Sequence, residues 1–132
     1  MTVVAQDSCR VVLPSSAAAA SHARRRLTGH LRACGVVDTA VEDAAVVVSE
    51  LVTNAVVHAR SGPLLVLSVR GDVLRIVVRD DDGGTPPQPL AVDDDASHGR
   101  GLALVEAISR RWGVERQPDG GKSVWCELAE EP

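Results

Sequence analysis

The stretch from Glu50 to Ala59, which reads Glu-Leu-Val-Thr-Asn-Ala-Val-Val-His-Ala, constrains the fold of this chain more than any other. Residues four apart share one side of an α-helix, so Glu50, Asn54 and His58 would form a polar column. The opposite side is apolar and predicts a core-facing stripe. The stripe comprises Val41, Ala44, Ala45, Val48, Leu51, Val52, Ala55 and Ala59. A carboxylate one turn from a carboxamide can place a base beside a metal-binding oxygen, as a site for a nucleoside triphosphate and Mg²⁺ requires. A plain solvent-exposed helix face has the same composition, so the column needs support from the rest of the chain.

Composition indicates one domain with an aliphatic core. The chain has 132 residues, and 45% of them are apolar although Phe and Tyr are absent. A core of Val, Leu, Ala and Ile suits a β-sheet backed by helices. We expect a single domain over 1–132, with unstructured ends at 1–8 and 129–132. The formal charge of −4 argues against direct nucleic-acid binding.

The cysteines and histidines predict neither disulfides nor a zinc site. The three cysteines, Cys9, Cys34 and Cys126, contain no CxxC pair, and the histidines lack zinc-site spacing. No signal-peptide pattern opens the chain, and no apolar run is long enough to span a membrane. These features predict free thiols, no membrane association and a cytoplasmic location.

Periodicity and turn signals predict an α+β fold. A Thr39-x-x-Glu42 capping box predicts the start of the second helix, and Gly71-Asp72 predicts a hairpin turn. The predicted elements are a strand at 10–13, a helix from 16 to 34 followed by Gly35, a helix at 39–59, strands at 64–70 and 73–79, a helix at 101–111 and strands at 112–117 and 122–128. We expect a two-layer sandwich, in which a mixed, mainly antiparallel sheet of about five strands carries three helices on one face.

Two glycine-containing segments add candidate ligand-binding groups. Asp80 follows a buried-looking strand and leads into Gly83-Gly84, so its carboxylate could accept a hydrogen bond from an adenine amino group. Gly99-Arg100-Gly101-Leu102 stands directly before a predicted helix, where bare backbone N–H groups can hold phosphate. An ordinary acidic turn and an ordinary chain reversal are the alternatives. Residues 85–98, rich in Asp and Pro, predict a mobile lid between the two segments.

A third glycine-containing segment is left without a role. Gly121-Lys122-Ser123 is similar to the end of a phosphate-binding Walker A loop, but it leads into a strand rather than a helix. We therefore do not assign it a phosphate-binding role.

Four motifs in this order resemble the GHKL (Bergerat-fold) ATPase superfamily. They are the Glu-x₃-Asn-x₃-His helix, the strand ending in Asp80, the Gly-x-Gly-Leu helix start and the final Gly-Gly-Lys-Ser-Val-Trp strand. The wording Ser-Glu-Leu-Val-Thr-Asn-Ala is most similar to the stand-alone anti-sigma-factor serine kinases of bacteria. The resemblance runs from about residue 16 to residue 128.

The resemblance implies ATP and Mg²⁺ as ligands and gives the polar column a chemical role. Glu50 matches the catalytic base that takes a proton from the attacking hydroxyl, and Asn54 matches the Mg²⁺ ligand. His58 matches a nucleotide-facing position at which the family has several polar residues.

The remaining matches concern the base and the phosphates. Asp80 matches the adenine-reading Asp and Gly84 the glycine behind the base. Gly99, Arg100, Gly101 and Leu102 match the phosphate-binding hinge of the lid. Ser123 stands where the family often has a Thr near the adenine.

The chain departs from the family pattern after Asp80. The usual Asp-x-Gly-x-Gly is replaced by Asp80-Asp81-Asp82-Gly83-Gly84, so either Asp80 or Asp81 could contact adenine. We favour Asp80 because it follows the strand directly. The additional carboxylates could repel a triphosphate.

The function that the resemblance implies is regulatory phosphorylation. Such a kinase binds a sigma factor, phosphorylates a serine or threonine of a small anti-anti-sigma (STAS-type) protein, and thereby controls release of the sigma factor. The alternative is a catalytically silent partner-binding module of the same fold, with weak or no ATP binding. A sensor histidine kinase is disfavoured because no dimerising helical hairpin with a phospho-acceptor His precedes the domain.

A basic cluster predicts a docking surface. Arg24, Arg25 and Arg26 lie on the first predicted helix, near the strand at 10–13. In the kinases that the chain resembles, this end of the fold mediates self-association, so we expect a homodimer that holds one sigma factor. A solvated arginine face on a monomer is the alternative.

Overall fold

The helices and strands follow the predicted order. The computed structural model describes residues 7–58, 62–81 and 103–129. The elements are β1 (Asp7–Val12), α1 (Ala19–Ala33), α2 (Asp38–His58), β2 (Leu64–Arg70), β3 (Val73–Asp80), β4 (Arg111–Arg116) and β5 (Lys122–Ala129). Residues 103–108 are helical and precede β4. Most predicted boundaries agree with these within about three residues, the start of β1 and the end of the third helix among them.

The two long helices differ in how well their ends were predicted. After α1, Gly35 has a φ of 83°, as the prediction of a glycine beyond the helix requires. The predicted cap of α2 at Thr39 was wrong, and the helix starts one residue earlier than predicted. The Val37 carbonyl accepts a 3.0 Å hydrogen bond from the Val41 N–H. The helix therefore begins at Asp38, and Thr39 lies inside it rather than capping it.

The five strands form one sheet in the order β1-β2-β3-β5-β4, and all four strand pairs are antiparallel. The α+β prediction is confirmed. Because β5 pairs with β3 as well as with β4, the last residue of β3 meets the first residue of β5: Asp80 lies opposite Lys122. This non-local pairing places two charged residues side by side at the ends of two inner strands of the sheet.

The helices cover one face of the sheet. α1 packs on α2 and contacts β1 and β2, whereas α2 contacts β3 and β5. Along β3, half-buried and buried residues alternate, as expected for a strand with only one covered face. The buried side chains of β3 are those of Leu74, Ile76, Val78 and Asp80. Among the described helices, none is long and apolar enough to cross a membrane.

The predicted apolar stripe of α2 packs in the core. The buried members are Val41, Ala44, Val48, Leu51, Val52 and Ala55. Ala45 is half-buried, and Ala59 lies outside the described residues. Val47 is also buried, so the covered face is broader than predicted. The stripe fixes the rotation of α2 on the sheet and thereby the direction of its polar column.

Gly62 allows the segment before β2 to approach the end of β1. A Cβ atom at position 62 would overlap the backbone carbonyl oxygen of Leu13, whose N–H donates to the Pro63 carbonyl at 2.9 Å. We expect Gly62→Ala to lower the free energy of unfolding by about 1–3 kcal/mol, since a backbone oxygen cannot rotate away. Urea denaturation measures the effect. Gly29→Ala is the matched control: its Cβ would meet nothing within 4 Å, and an alanine inside α1 should stabilise the protein by up to about 1 kcal/mol. Equal effects of the two substitutions would contradict this packing.

Candidate functional site

A pocket lies between α2 and the ends of two neighbouring strands. Its cavity volume is about 10 Å³, space for about one water molecule. The described lining residues are Leu51, Asn54 and Ala55 from α2, Val78 and Asp80 from β3, and Lys122 and Val124 from β5. The walls are thus mainly aliphatic, with a few polar groups converging from three elements, which is typical of small-molecule sites.

Asp80 and Lys122 form a buried ion pair in this pocket. The Asp80 Oδ2 and Lys122 Nζ atoms are 3.5 Å apart, and the two side chains are only 1% and 4% exposed. Their positions follow from the β3–β5 register, which sets the two residues opposite each other on the helix-covered face. Aspartate and lysine are rarely buried to this extent unless they are paired.

The middle residue of the polar column of α2, Asn54, lines the same pocket. Asn54 is half-buried and lines the pocket together with Asp80, so two of the predicted site residues lie together. Glu50 is half-buried one turn before Asn54 on the same side of α2. Within the described part of the chain, Glu50 does not line this pocket. His58 is the last residue of α2.

The structure does not bring Ser123 into the pocket. Side chains alternate along β5, so Ser123 and Lys122 face opposite sides of the sheet. The Ser123 Oγ accepts a 3.2 Å hydrogen bond from Gln117 Nε2, and Gln117 Oε1 accepts one from Arg79 at 3.1 Å. The β5 residue that lies beside Asp80 in the pocket is therefore Lys122.

Lys122 is the site residue that the sequence reasoning missed. Two signals could have identified it. Lys122 has the same strand parity as Val124, Cys126 and Leu128, which places it on the core face of β5. It is also the sole lysine of the chain, in which every other cationic residue except the histidines is an arginine.

Several predicted residues cannot be placed. Gly84, Gly99, Arg100, Gly101 and Leu102 lie outside the described residues, as does the predicted lid at 85–98. Asp80 and Asp81 are the two residues that could contact adenine. Asp80 is buried in the pocket, and Asp81 is exposed.

The donor set suits a metal ion that also binds phosphate. Among the described residues, no group of three His, Cys, Asp or Glu side chains could hold a metal ion. The Asn54 amide offers one oxygen, which is enough for Mg²⁺ because this ion is commonly held by one or two protein oxygens plus phosphate and water. The site therefore fits a magnesium–nucleotide complex better than a metal ion held by protein alone.

The cysteines supply no activated nucleophile near the pocket. All three are free, as predicted, and Cys126 is buried on β5. Desolvation by burial raises the pKa of the Cys126 thiol to about 12. This thiol is protonated at neutral pH and behaves as a small apolar core residue.

Comparison with solved structures shows where this architecture recurs. The fold is similar to that in the structure of the RsbU and RsbW domains of Rv1364c from Mycobacterium tuberculosis, with a TM-score of 0.72 and 22% identity over 96% of this chain. The chain spans 33% of that longer protein. It is also similar to the SiaB–SiaC complex of Pseudomonas aeruginosa, with a TM-score of 0.61, 16% identity, and coverage of 91% of this chain and 88% of the other. At these identities the likeness shows a shared fold.

Sequence comparison gives the family. An uncharacterised protein of Streptomyces coelicolor, SCO4941, is 39% identical over an alignment 92 positions long, which covers 64% of this chain and 83% of that protein. The family model of the histidine kinase-like ATPase domain matches residues 13–127 and so includes α1, α2, β2, β3 and β4 completely. That match contains the whole described pocket, and the chain belongs to the histidine kinase-like ATPase domain family.

Proposed function

We propose that this protein is an ATP-dependent serine/threonine kinase of the anti-sigma-factor type. One observation carries the proposal: Asn54 of α2 and Asp80 of β3 converge on one aliphatic pocket, in a chain of an ATPase domain family. The substrate would be a serine or threonine of a small anti-anti-sigma partner of the STAS type, and phosphorylation would control release of a sigma factor.

The lining of the pocket offers the kinds of contact that a purine needs, and the cavity of about 10 Å³ would widen to admit the ring. Leu51, Ala55, Val78 and Val124 supply aliphatic surface for a flat base. The Asp80 carboxylate, at the end of β3, would accept a hydrogen bond from the adenine amino group. The Lys122 ammonium, 3.5 Å from Asp80 Oδ2, holds the carboxylate in place.

With the base in the pocket, the phosphates would lie along α2, where the polar column would act on them. Asn54 would hold Mg²⁺ through its amide oxygen, and the ion when bound neutralises phosphate charge and orients the transferred group. Glu50, one turn away, would take the proton from the substrate hydroxyl. His58 and the hinge residues Gly99–Leu102 are proposed to face the nucleotide as the resemblance implies.

Protein partners belong to the proposal. A protein of this fold has been determined as a complex with a second protein, in the SiaB–SiaC structure. In this chain, Arg24, Arg25 and Arg26 are exposed on α1. Arg24 donates a 3.0 Å hydrogen bond to Ser49 on α2, and Arg25 donates one to Ser21. Homodimerisation through this cluster and the outer edge of β1 stays a prediction.

Mg-ATP should stabilise the folded protein. At a concentration 100 times the Kd, binding adds about 2.7 kcal/mol, which for a domain of this size raises Tm by several degrees. Differential scanning fluorimetry with Mg-ATP, and with ATP plus EDTA, measures the effect and its dependence on the metal. Asn54→Ala should remove most of the difference between the two conditions.

Thr53→Ala is the matched control for Asn54→Ala, because Thr53 is exposed on the same turn of α2. It should respond to Mg-ATP as the wild type does. No stabilisation of the wild type, together with a flat calorimetric titration, would reject the kinase and favour the silent partner-binding module, for which the acidic run after Asp80 already offers a reason.

A further inference from the structure

We propose that the exposed face of α2 around Glu50 receives the segment of the acceptor protein that carries the phosphorylated hydroxyl, and that Val46 and Val57 bind apolar side chains on both sides of that hydroxyl. This inference rests on the proposed function, because it takes Glu50 as the base. It adds the side of the molecule on which the acceptor lies and the kind of side chain that flanks its hydroxyl.

The two valines and Glu50 lie along one side of α2. At 3.6 residues per turn, positions 46 and 57 are about 40° and about 20° from position 50 around the helix axis. Along the axis they lie about 6 Å before it and about 10 Å after it. Val46 is 40% exposed and Val57 is 54% exposed. The proposed base thus lies between two apolar side chains that are open to solvent.

Glu50 also separates the valines from the pocket. Asn54, which lines the pocket, is about 40° from Glu50 around the helix axis, and both valines lie on the other side of Glu50. A phosphate held near Asn54 and a hydroxyl that approaches over Val46 and Val57 would therefore meet at Glu50. An acceptor segment on this face reaches the base without passing through the nucleotide pocket.

Packing within the chain gives no reason for valine at these two positions. A β-branched side chain loses rotamer freedom in a helix, so valine forms helices less well than alanine or glutamate does. Val47 and Val48 gain burial of apolar surface in return, but Val46 and Val57 do not. Single exposed apolar residues are common on protein surfaces. These two differ because they flank the residue to which the acceptor hydroxyl has to come.

The spacing defines the chemistry of the acceptor segment. An extended chain advances about 3.3 Å per residue. Side chains about two residues to one side of the hydroxyl and about three residues to the other would therefore lie over Val46 and Val57. Their contact with the valines removes apolar surface from water on both partners and so adds affinity. The occupant is thus a hydroxyl-bearing segment with aliphatic or aromatic side chains on both sides.

Val46→Thr/Val57→Thr tests the contact, because threonine has the shape of valine and a similar helix propensity but carries a hydroxyl. The acceptors are the STAS-type proteins encoded in the same genome, purified one at a time, and the one that wild-type protein phosphorylates is titrated. For this acceptor the double variant should have a KM about tenfold higher at unchanged kcat, since the valines bind the acceptor without touching the reacting atoms.

Two controls accompany this variant. Val46→Ile/Val57→Ile keeps the face apolar and should retain the wild-type KM within about twofold. Val114→Thr makes the same change at a 38% exposed valine on β4 and should alter neither KM nor kcat.

Binding can also be measured without turnover. In Glu50→Gln protein with Mg²⁺ and a β,γ-imido analogue of ATP, calorimetry gives separate Kd values for the acceptor and for the analogue. Adding the two threonines should weaken acceptor binding about tenfold and leave the Kd of the analogue within about twofold. A purely structural role of the valines would instead lower Tm or weaken both ligands.

A KM of the double threonine variant within about twofold of the wild-type value would overturn this inference and leave the kinase intact. The same holds for weaker Mg-ATP binding at an unchanged KM for the acceptor, which would show that the valines serve the nucleotide side of the site. If wild-type protein phosphorylates none of the STAS-type proteins, the proposed function fails, and this inference fails with it.

Discussion

Glu50→Gln should reduce phosphoryl transfer by roughly 10²–10⁴-fold while Mg-ATP still binds with nearly its normal affinity. Glutamine has the size and shape of glutamate but cannot accept the proton of the substrate hydroxyl. Glu50 is half-buried on α2, one turn from Asn54, and it does not line the described base pocket, so its loss should leave the contacts of the base unchanged. Transfer of labelled phosphate to a STAS-type partner gives the rate, and calorimetry gives the affinity.

The control for this substitution lies on the same helix. Glu42→Gln removes an equal charge from an exposed position near the start of α2 and should leave both rate and affinity unchanged. If the Glu50→Gln protein transfers phosphate at the wild-type rate, Glu50 is not the base. If it loses Mg-ATP binding instead, Glu50 acts with Asn54 in holding the metal.

The fold could be predicted because most of its signals are local. Gly71-Asp72 sets the β2–β3 hairpin, and a 3.6-residue apolar period sets the buried face of α2. The start of α2 was not predicted correctly, since the residue that caps the helix depends on which carbonyl accepts the first hydrogen bond. In this chain that carbonyl belongs to Val37 rather than to Thr39.

The candidate site was only partly predictable, for a different reason. Asn54 and Asp80 each belong to a recognisable motif, and the pocket contains both. Lys122 becomes a neighbour of Asp80 only because β5 inserts between β3 and β4. That order is decided by packing of the whole sheet, and no spacing within the sequence records it. The alternation of side chains along β5 predicts which face of the sheet Lys122 occupies, but it does not predict that Asp80 is its partner.

Asp80→Ala should lower the free energy of unfolding by about 3–5 kcal/mol, the usual cost of removing one member of a buried ion pair. The reason is the charge left behind: the Lys122 ammonium, with a side chain 4% exposed, would lose its carboxylate partner in a low-dielectric setting. Chemical denaturation of the protein without nucleotide measures this, so the result does not depend on the proposed function.

Two further variants show whether the destabilisation comes from the buried unpaired charge or from the loss of a side chain. Asp38→Ala removes the acid of the Arg32–Asp38 pair, whose atoms are 3.8 Å apart and whose side chains are 60% and 80% exposed, so it should cost no more than about 1 kcal/mol. Adding Lys122→Met to Asp80→Ala removes the stranded cation and should restore a large part of the lost stability, because the remaining groups are apolar. If Asp80→Ala costs no more than Asp38→Ala, or if the second substitution restores nothing, the pair contributes little to the fold.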